Sequence, residues 1–229
     1  MKIAHLSDIH LSRRQPENAA MLRLILQHID VHHPDAEIVI TGDIADTPTH
    51  QELEQAAEII PDDAHVLPGN HDLYRWGFLR WWGLRRMWHE VMGLEDSWPK
   101  IADVDGGRII LLDSMMDVDL RRGSLARGYA GRDQLNALRM SLETNRPCAV
   151  FLHHHLDEQR TTLELVDADS LLAALAGGGA RVACFGHLHQ AGETSYEGVR
   201  LFASCKSVAT MRYRVIEVGE KVRWWWEYV

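Results

Sequence analysis

Ala64-His65-Val66-Leu67-Pro68-Gly69-Asn70-His71-Asp72 is a short apolar run that stops at Pro-Gly and is followed at once by an amide, an imidazole and a carboxylate. A few β-favouring residues closed by Pro-Gly read as a buried strand and the turn that ends it. The same pattern recurs on both sides of it. Lys2-Ile3-Ala4-His5-Leu6-Ser7 runs into Asp8-Ile9-His10, and Glu37-Ile38-Val39-Ile40-Thr41 runs into Gly42-Asp43. Cys148-Ala149-Val150-Phe151-Leu152 runs into His153-His154-His155, and Arg181-Val182-Ala183-Cys184-Phe185 runs into Gly186-His187-Leu188-His189. Five β-type runs thus each end in Asp, Asn or His.

Helical stretches separate these runs. Residues 17–33 place Met21, Leu22, Leu24, Ile25 and Ile29 near a 3.6-residue period and stop at Pro34. Residues 49–60 and 133–144 read as two further helices, and 167–176 as a fourth, ended by Gly177-Gly178-Gly179. Strand then helix, repeated, predicts a layered α/β domain with its chemistry at the C-terminal ends of the strands. Tyr213 to Val218 and Val222 to Val229, joined by Gly219-Glu220-Lys221, are predicted to form an antiparallel pair. No repeat, low-complexity tract or linker divides residues 1–229, which read as a single domain.

The 229 residues are 46% hydrophobic and 25% charged, which excludes disordered and fibrous classes. The formal net charge of −9 disfavours a protein held to a nucleic-acid polymer by phosphate neutralisation. It leaves room for an enzyme that meets phosphate through bound cations, since those reverse the local sign. Cys148, Cys184 and Cys205 form no CxxC and no disulfide framework, so a reducing, cytoplasmic setting is expected. No apolar run approaches a membrane span, and Met1-Lys2 leads straight into a strand with no leader pattern.

Side chains at i and i+2 of an extended segment point the same way, so Asp8 with His10, and His187 with His189, are each expected to reach one point. Oxygen and imidazole donors without thiolate suit Mn, Zn, Fe or Co. The donors outnumber the needs of one ion. Two ions sharing a carboxylate would use them all and could activate water against a phosphoryl group.

Asp-x-His, Gly-Asp, Gly-Asn-His-Asp, a later His cluster and Gly-His-x-His, in that order, resemble the calcineurin-like metallophosphoesterase superfamily over roughly residues 2–205. The resemblance implies a four-layer αββα sandwich and two divalent or mixed-valence metal ions. It makes Asp8, His10 and His189 ligands of one ion, with Asn70, His187 and a member of the His153–His155 cluster on the other and Asp43 between them. His153, directly off its strand, is the chosen ligand; His154 is the runner-up and a candidate substrate contact, as is Asn70. His71 is implied beside the phosphate, stabilising charge or protonating the leaving group, while a hydroxide on the metals attacks in line. Asp72 is expected to be structural, capping the segment that follows.

A narrower likeness rests on Leu111-Leu112-Asp113-Ser114, Gly128 with the later Gln134-Leu135, Leu152-His153-His154-His155 and Gly186-His187-Leu188-His189-Gln190. These look like bacterial class III cyclic-nucleotide phosphodiesterases, although Leu156-Asp157 stands where that branch has proline after the histidines. The implied activity is a metal-dependent phosphodiesterase acting on a small or cyclic nucleotide-like diester. The alternatives are a phosphomonoesterase or nucleotide-sugar pyrophosphatase, then a DNA nuclease or a non-catalytic scaffold.

Of the 14 histidines, His5 and His65 are expected inside the sheets, and His28, His32, His33, His50 and His89 in solvated positions. Residues 74–98, rich in Trp and Arg, are weighed as a small helical cap, a homodimer contact, a membrane-surface helix or plain packing. Trp224, Trp226 and Tyr228 fall on one strand face, read as core, and Arg121, Arg122 and Arg127 on a loop.

Overall fold

The structure is a computed structural model that describes residues 1–73, 81–115, 126–156 and 165–229. Arg121, Arg122 and the first part of the Trp/Arg-rich segment lie outside the described residues. The chain runs β1 (Lys2–Leu6), α1 (Glu17–His32), β2 (Glu37–Thr41), α2 (His50–Ile59), β3 (His65–Leu67), α3 (Asn70–Leu73), α4 (Trp81–Val91), β4 (Lys100–Val104), β5 (Gly107–Leu111), α5 (Arg132–Leu142) and β6 (Cys148–Phe151). It continues with α6 (Ala168–Gly177), β7 (Val182–Phe185), β8 (Gly192–Tyr196), β9 (Val199–Ala203), α7 (Ser207–Thr210), β10 (Arg212–Val218) and β11 (Val222–Tyr228).

Two sheets form, ordered β11-β10-β1-β2-β3 and β4-β5-β6-β7-β9-β8. β1, β2 and β3 are parallel, as are β5, β6, β7 and β9; β10–β11, β4–β5 and β8–β9 are antiparallel pairs at the edges. Burial on both faces explains why the parallel strands read as unbroken apolar runs. Ile3, Val39, Leu67 and Ile216 of one sheet meet Ile109, Phe151, Val182, Cys184 and Phe202 of the other. Leu22, Ile25 and Ile29 of α1 cover the outer face of the first sheet against Ala4, Leu6, Ile40 and Val215. Leu135, Leu138 and Leu142 of α5 and Leu171, Leu172 and Leu175 of α6 cover the second against Ile110, Val150, Ala183 and Leu201. The result is the αββα order of layers.

The hairpin β4–β5 carried a turn signal, Asp105-Gly106, with Gly106 at φ +75°. Trp224 and Trp226 are half-buried where the β11 edge faces the second sheet, and Tyr228 is exposed. Arg200 stacks on Trp224, and Arg212 and Arg214 on Trp226. His5 is buried against Thr41 (2.9 Å) and His65 bonds Glu37 (3.0 Å), both within the first sheet.

Two expected solvated histidines are buried instead. His89, on α4, lies 3.1 Å from Asp96, and His33, the residue that ends α1, lies 3.3 Å from Glu227. His28 bonds the Tyr213 hydroxyl at 2.9 Å. In the described part of the Trp/Arg-rich segment, Trp88 is fully buried in the α1–α2 core. Arg85 is spent on Asp96 (2.6 Å) and Asp113 (2.7 Å), and Arg86 pairs with Glu90. Among the described residues no helix is long and apolar enough to cross a membrane.

Candidate metal centre

Because β1, β2 and β3 run parallel, as do β6 and β7, their C-terminal ends open on one side of each sheet, and the loops that leave them carry the donors. The loop after β1 is laced to the loop after β2: Asp8 N–H donates to Gly42 O (3.1 Å), His10 N–H to Asp43 O (2.8 Å) and Leu11 N–H to Ile44 O (2.8 Å). Asp8, His10, Asp43, His187 and His189 all hold left-handed backbone angles, φ +53°, +50°, +51°, +73° and +57°. Such angles cost about 1–3 kcal/mol each in a non-glycine residue and persist where the surroundings over-determine them.

This departs from the extended zigzag expected of Asp8 and His10. Their side chains converge because each residue turns through the left-handed region, and His187 and His189 separate for the same reason. His189 joins Asp8, His10 and Asp43, whose donor atoms all lie within 4.8 Å of one another. Asp8 Oδ1 is 3.4 Å from His189 Nε2, and His10 Nε2 faces His189 Nε2 at 3.1 Å. His187 turns elsewhere, its Nδ1 2.9 Å from Asn70 Oδ1, which is also 3.0 Å from His153 Nε2. Asp43 lies between the two groups, with Oδ1 3.4 Å from His153 Nε2 and Oδ2 3.7 Å from His10 Nε2.

The supporting contacts fix which nitrogen faces inward. Thr41 O stands 2.8 Å from His153 Nδ1, so that nitrogen carries the hydrogen and Nε2 offers its lone pair. Thr41 is itself bound to His5 and Ser7 below the site. His187 N–H donates to both carboxylate oxygens of Asp8 at 3.2 Å. Gly186 and Gly69 are close-approach positions. A Cβ on Gly186 would strike Ser7 and Asp8, and one on Gly69 would strike Asp43 and His153.

His154 faces away from Asn70. It is fully buried, its Nδ1 2.8 Å from Ser114 Oγ, its ring 4.6 Å from that of His187 and packed on Gly128. His155 stacks on Phe185 at 4.4 Å, beside a cavity of about 340 Å³ that Leu188 and Gln190 also line. A second cavity of about 660 Å³, between Met1, Lys2, Glu217 and Lys221, is at the opposite end of the first sheet and holds none of the donors.

His71 is part-exposed. Its N–H donates to Asp43 Oδ1 (2.8 Å), its Nδ1 is 3.0 Å from Asp46 O, and its ring meets that of His10 at 4.7 Å. Asp46 also sets its carboxylate 3.5 Å from His10 Nδ1, the nitrogen that points away from His189. Asp72 is structural, and the segment that follows it lies outside the described residues. Its carboxylate accepts from Ile44 N–H (3.2 Å), Ala45 N–H (2.9 Å) and Gly69 N–H (2.9 Å), tying the loop of Asp43 to that of Asn70. Neither Asp46 nor the bracing role of Asp72 had a local signal, because their principal partners come from other loops.

Electrostatics follow from burial. Burial holds His10 down to about 2 and His187 to about 3, so both are neutral imidazoles with lone pairs available. Burial would also raise Asp8, but the His189 hydrogen bond and the charges of His153 and His189 bring it down to about 2. Burial raises Asp43, helped by the neighbouring Asp8 charge against His153. In His153 the opposing Asp43 and Asp8 carboxylates outweigh burial and raise the ring. Among the described residues neither Asp8 nor Asp43 has a Lys or Arg partner. Buried carboxylates facing converging imidazole nitrogens, with no protein cation between them, are the donor chemistry that divalent ions satisfy.

A family model described as calcineurin-like phosphoesterase matches residues 1–191. Among solved structures, a phosphopantetheinyl hydrolase from Mycobacterium tuberculosis superposes with a TM-score of 0.53 at 16% identity, over 90% of each chain. GAP50, the anchor in the inner membrane complex of Plasmodium, gives 0.65 at 10% identity over 99% of this chain and 84% of that one. TT1561 of Thermus thermophilus gives 0.63 at 9% identity over 98% and 97%. A sequence search of the curated proteins gives no significant match. The fold is thus shared with a hydrolase and with an anchor, so function has to be argued from the donors.

Proposed function

The chain belongs to the calcineurin-like phosphoesterase family, and from that premise we propose that it is a two-metal phosphodiesterase acting on a small or cyclic nucleotide-like diester. One observation carries the reading: two donor groups, Asp8-His10-His189 and Asn70-His153-His187, converge on the opposite oxygens of Asp43. Those residues would hold the two ions, with Asp43 common to both. When bound, two such ions supply Lewis-acid neutralisation of phosphoryl charge and activation of water near neutral pH. Manganese, iron, zinc and cobalt all suit this donor set.

The protein's own groups do the rest. His71 is held through Nδ1 by the Asp46 carbonyl, which leaves Nε2 to face a substrate at the open side of the site. Protonated, it steadies charge on the non-bridging oxygens or returns a proton to the leaving alkoxide. Asp46 and Thr41 keep His10 and His153 turned inward. His153 is favoured over His154 as the ligand, since its Nε2 meets Asn70 and Asp43 while His154 is committed to Ser114.

The narrower reading is supported by a contact chain among the motif pieces that suggested it. Gln134 bonds both backbone groups of Asp113, Ser114 holds His154, Gly128 abuts the His154 ring, and that ring stacks on His187. The test is a chelator-stripped sample reloaded with Mn²⁺ and assayed on bis-p-nitrophenyl phosphate, p-nitrophenyl phosphate and 3′,5′-cyclic AMP. Diester turnover well above monoester turnover is expected. Preference for the monoester would replace the proposal with a phosphatase, and two bound ions with no turnover would replace it with a scaffold.

A further inference from the structure

His5 lies in β1, fully buried, with its ring edge-on to that of Phe151 at 5.7 Å. Its Nε2 is 2.9 Å from Thr41 Oγ1, while among the described residues nothing hydrogen-bonds its Nδ1. A buried ring nitrogen without a partner costs free energy that a phenyl ring in the same place would not. Packing alone therefore gives no reason for an imidazole in this strand, and the reason has to come from the nitrogen that is engaged.

Thr41 has one hydroxyl hydrogen. It goes to Ser7 Oγ at 2.8 Å, with Leu6 O at 3.4 Å the longer alternative, and either choice leaves a lone pair facing His5. Burial, with the Arg214 charge behind it, holds the His5 ring neutral, down to about 3, so the ring has a single hydrogen to place. Nε2 is where it belongs, since the other tautomer would strand a buried N–H donor at Nδ1. The hydrogens then run one way. His5 Nε2 donates to Thr41 Oγ1, Thr41 Oγ1 to Ser7 Oγ, and Ser7 Oγ to Thr41 O at 3.2 Å, the carbonyl that also accepts from His153 Nδ1 at 2.8 Å. Ser7 directly precedes Asp8, and its hydroxyl fills the space beside Gly186, which leads into His187. Thr41 leads through Gly42 into Asp43. The loops that carry Asp8, Asp43, His153 and His187 all rest on the two hydroxyls that His5 orders.

We infer that His5 is a positioning residue of the metal centre: its Nε2–H sets the direction of the Thr41 and Ser7 hydroxyls and, through the Thr41 carbonyl, the aim of His153 Nε2, serving affinity for the ions rather than stability of the fold. This rests on the two-metal reading above. Long-range proton–nitrogen NMR of metal-free wild type reads the tautomers directly, and should find the hydrogen of His5 on Nε2 and that of His153 on Nδ1. Wild type, His5→Phe and His5→Gln are then titrated calorimetrically with Mn²⁺ and unfolded in urea without metal. His5→Phe keeps a ring but no donor, and should bind manganese about 10–100-fold more weakly, with its metal-free urea midpoint unchanged or raised. His5→Gln, which keeps an N–H donor at about the reach of Nε2, should recover most of the affinity. Wild-type manganese affinity in His5→Phe overturns the inference, and so does a hydrogen on His5 Nδ1 or a failure of His5→Gln to recover affinity. A lowered metal-free midpoint in His5→Phe also overturns it, because the ring would then be holding the fold. His5-dependent manganese binding without turnover of any ester supports His5 and counts against the proposed function alone. A wild type that binds no manganese refutes the inference directly.

Discussion

Replacing Asp72 by alanine tests how the site is held together without touching a proposed ligand. The carboxylate is fully buried and accepts three backbone N–H groups, from Ile44, Ala45 and Gly69. Each buried donor left without a partner costs about 1–3 kcal/mol, and partial relaxation or entry of a water recovers some of that. The expected loss is about 3–5 kcal/mol, a large share of a typical domain's stability of about 5–15 kcal/mol. The effect should depend on pH. Burial, and then the neighbouring Asp43 charge, push Asp72 up from 3.8 to about 7. A folded pKa above the unfolded one means that the carboxyl's contribution is complete below the unfolded value and fades as pH rises through about 7. Urea unfolding of metal-free wild type and Asp72→Ala should therefore show a larger gap at pH 5.5 than at pH 8. The variant should also hold less manganese, because the loops of Asp43 and Asn70 lose their common tie. A gap under about 1 kcal/mol at pH 5.5, or one that widens toward pH 8, would refute the bracing argument.

Other outcomes follow from the same geometry. His153→Ala should lose one of two bound ions, whereas His154→Ala should keep both and instead lower stability by about 1–3 kcal/mol, since Ser114 loses its buried partner; metal counting with thermal unfolding separates the two. His71→Ala should lower kcat by about 10²–10⁴-fold with metal content unchanged, as measured by steady-state kinetics beside elemental analysis. Gly69→Ala should destabilise the protein by about 1–3 kcal/mol or more and empty the site, because its Cβ would run into Asp43 and sit 2.8 Å from His153 Cε1. Gly83→Ala in α4 meets nothing within 4 Å and should stabilise by about 0.5–1 kcal/mol in the same denaturation assay.

A left-handed backbone at five neighbouring donor residues is hard to reconcile with turn chemistry alone. The backbone bonds between the 8–11 and 42–44 loops, the Asp8 contact to His187 N–H and the Asp72 brace all act to hold those residues in these conformations.

The order of the donors along the chain, and their attachment to strand ends, were legible in the sequence by itself. Burial on both faces makes the parallel strands read as continuous apolar runs, and polar residues such as Asp43 or His153 stand out where those runs stop. Helices α1, α2, α5 and α6 were legible for the same reason, through their 3.6-residue period. What only the tertiary structure decided was direction. Asp8 and His10 share a point through left-handed turns rather than an extended zigzag, and His187 parts from His189 to meet Asn70. His153 is turned inward by Thr41, and His154 is drawn aside by Ser114, partners 112 and 40 residues away in the chain. Asp72 and Asp46 meet their partners only where separate loops come together in the folded protein. Local pattern reports how often a residue is buried and where a strand stops; which way a side chain at that stop points is set by φ and by long-range hydrogen bonds, and neither is written in the residues beside it.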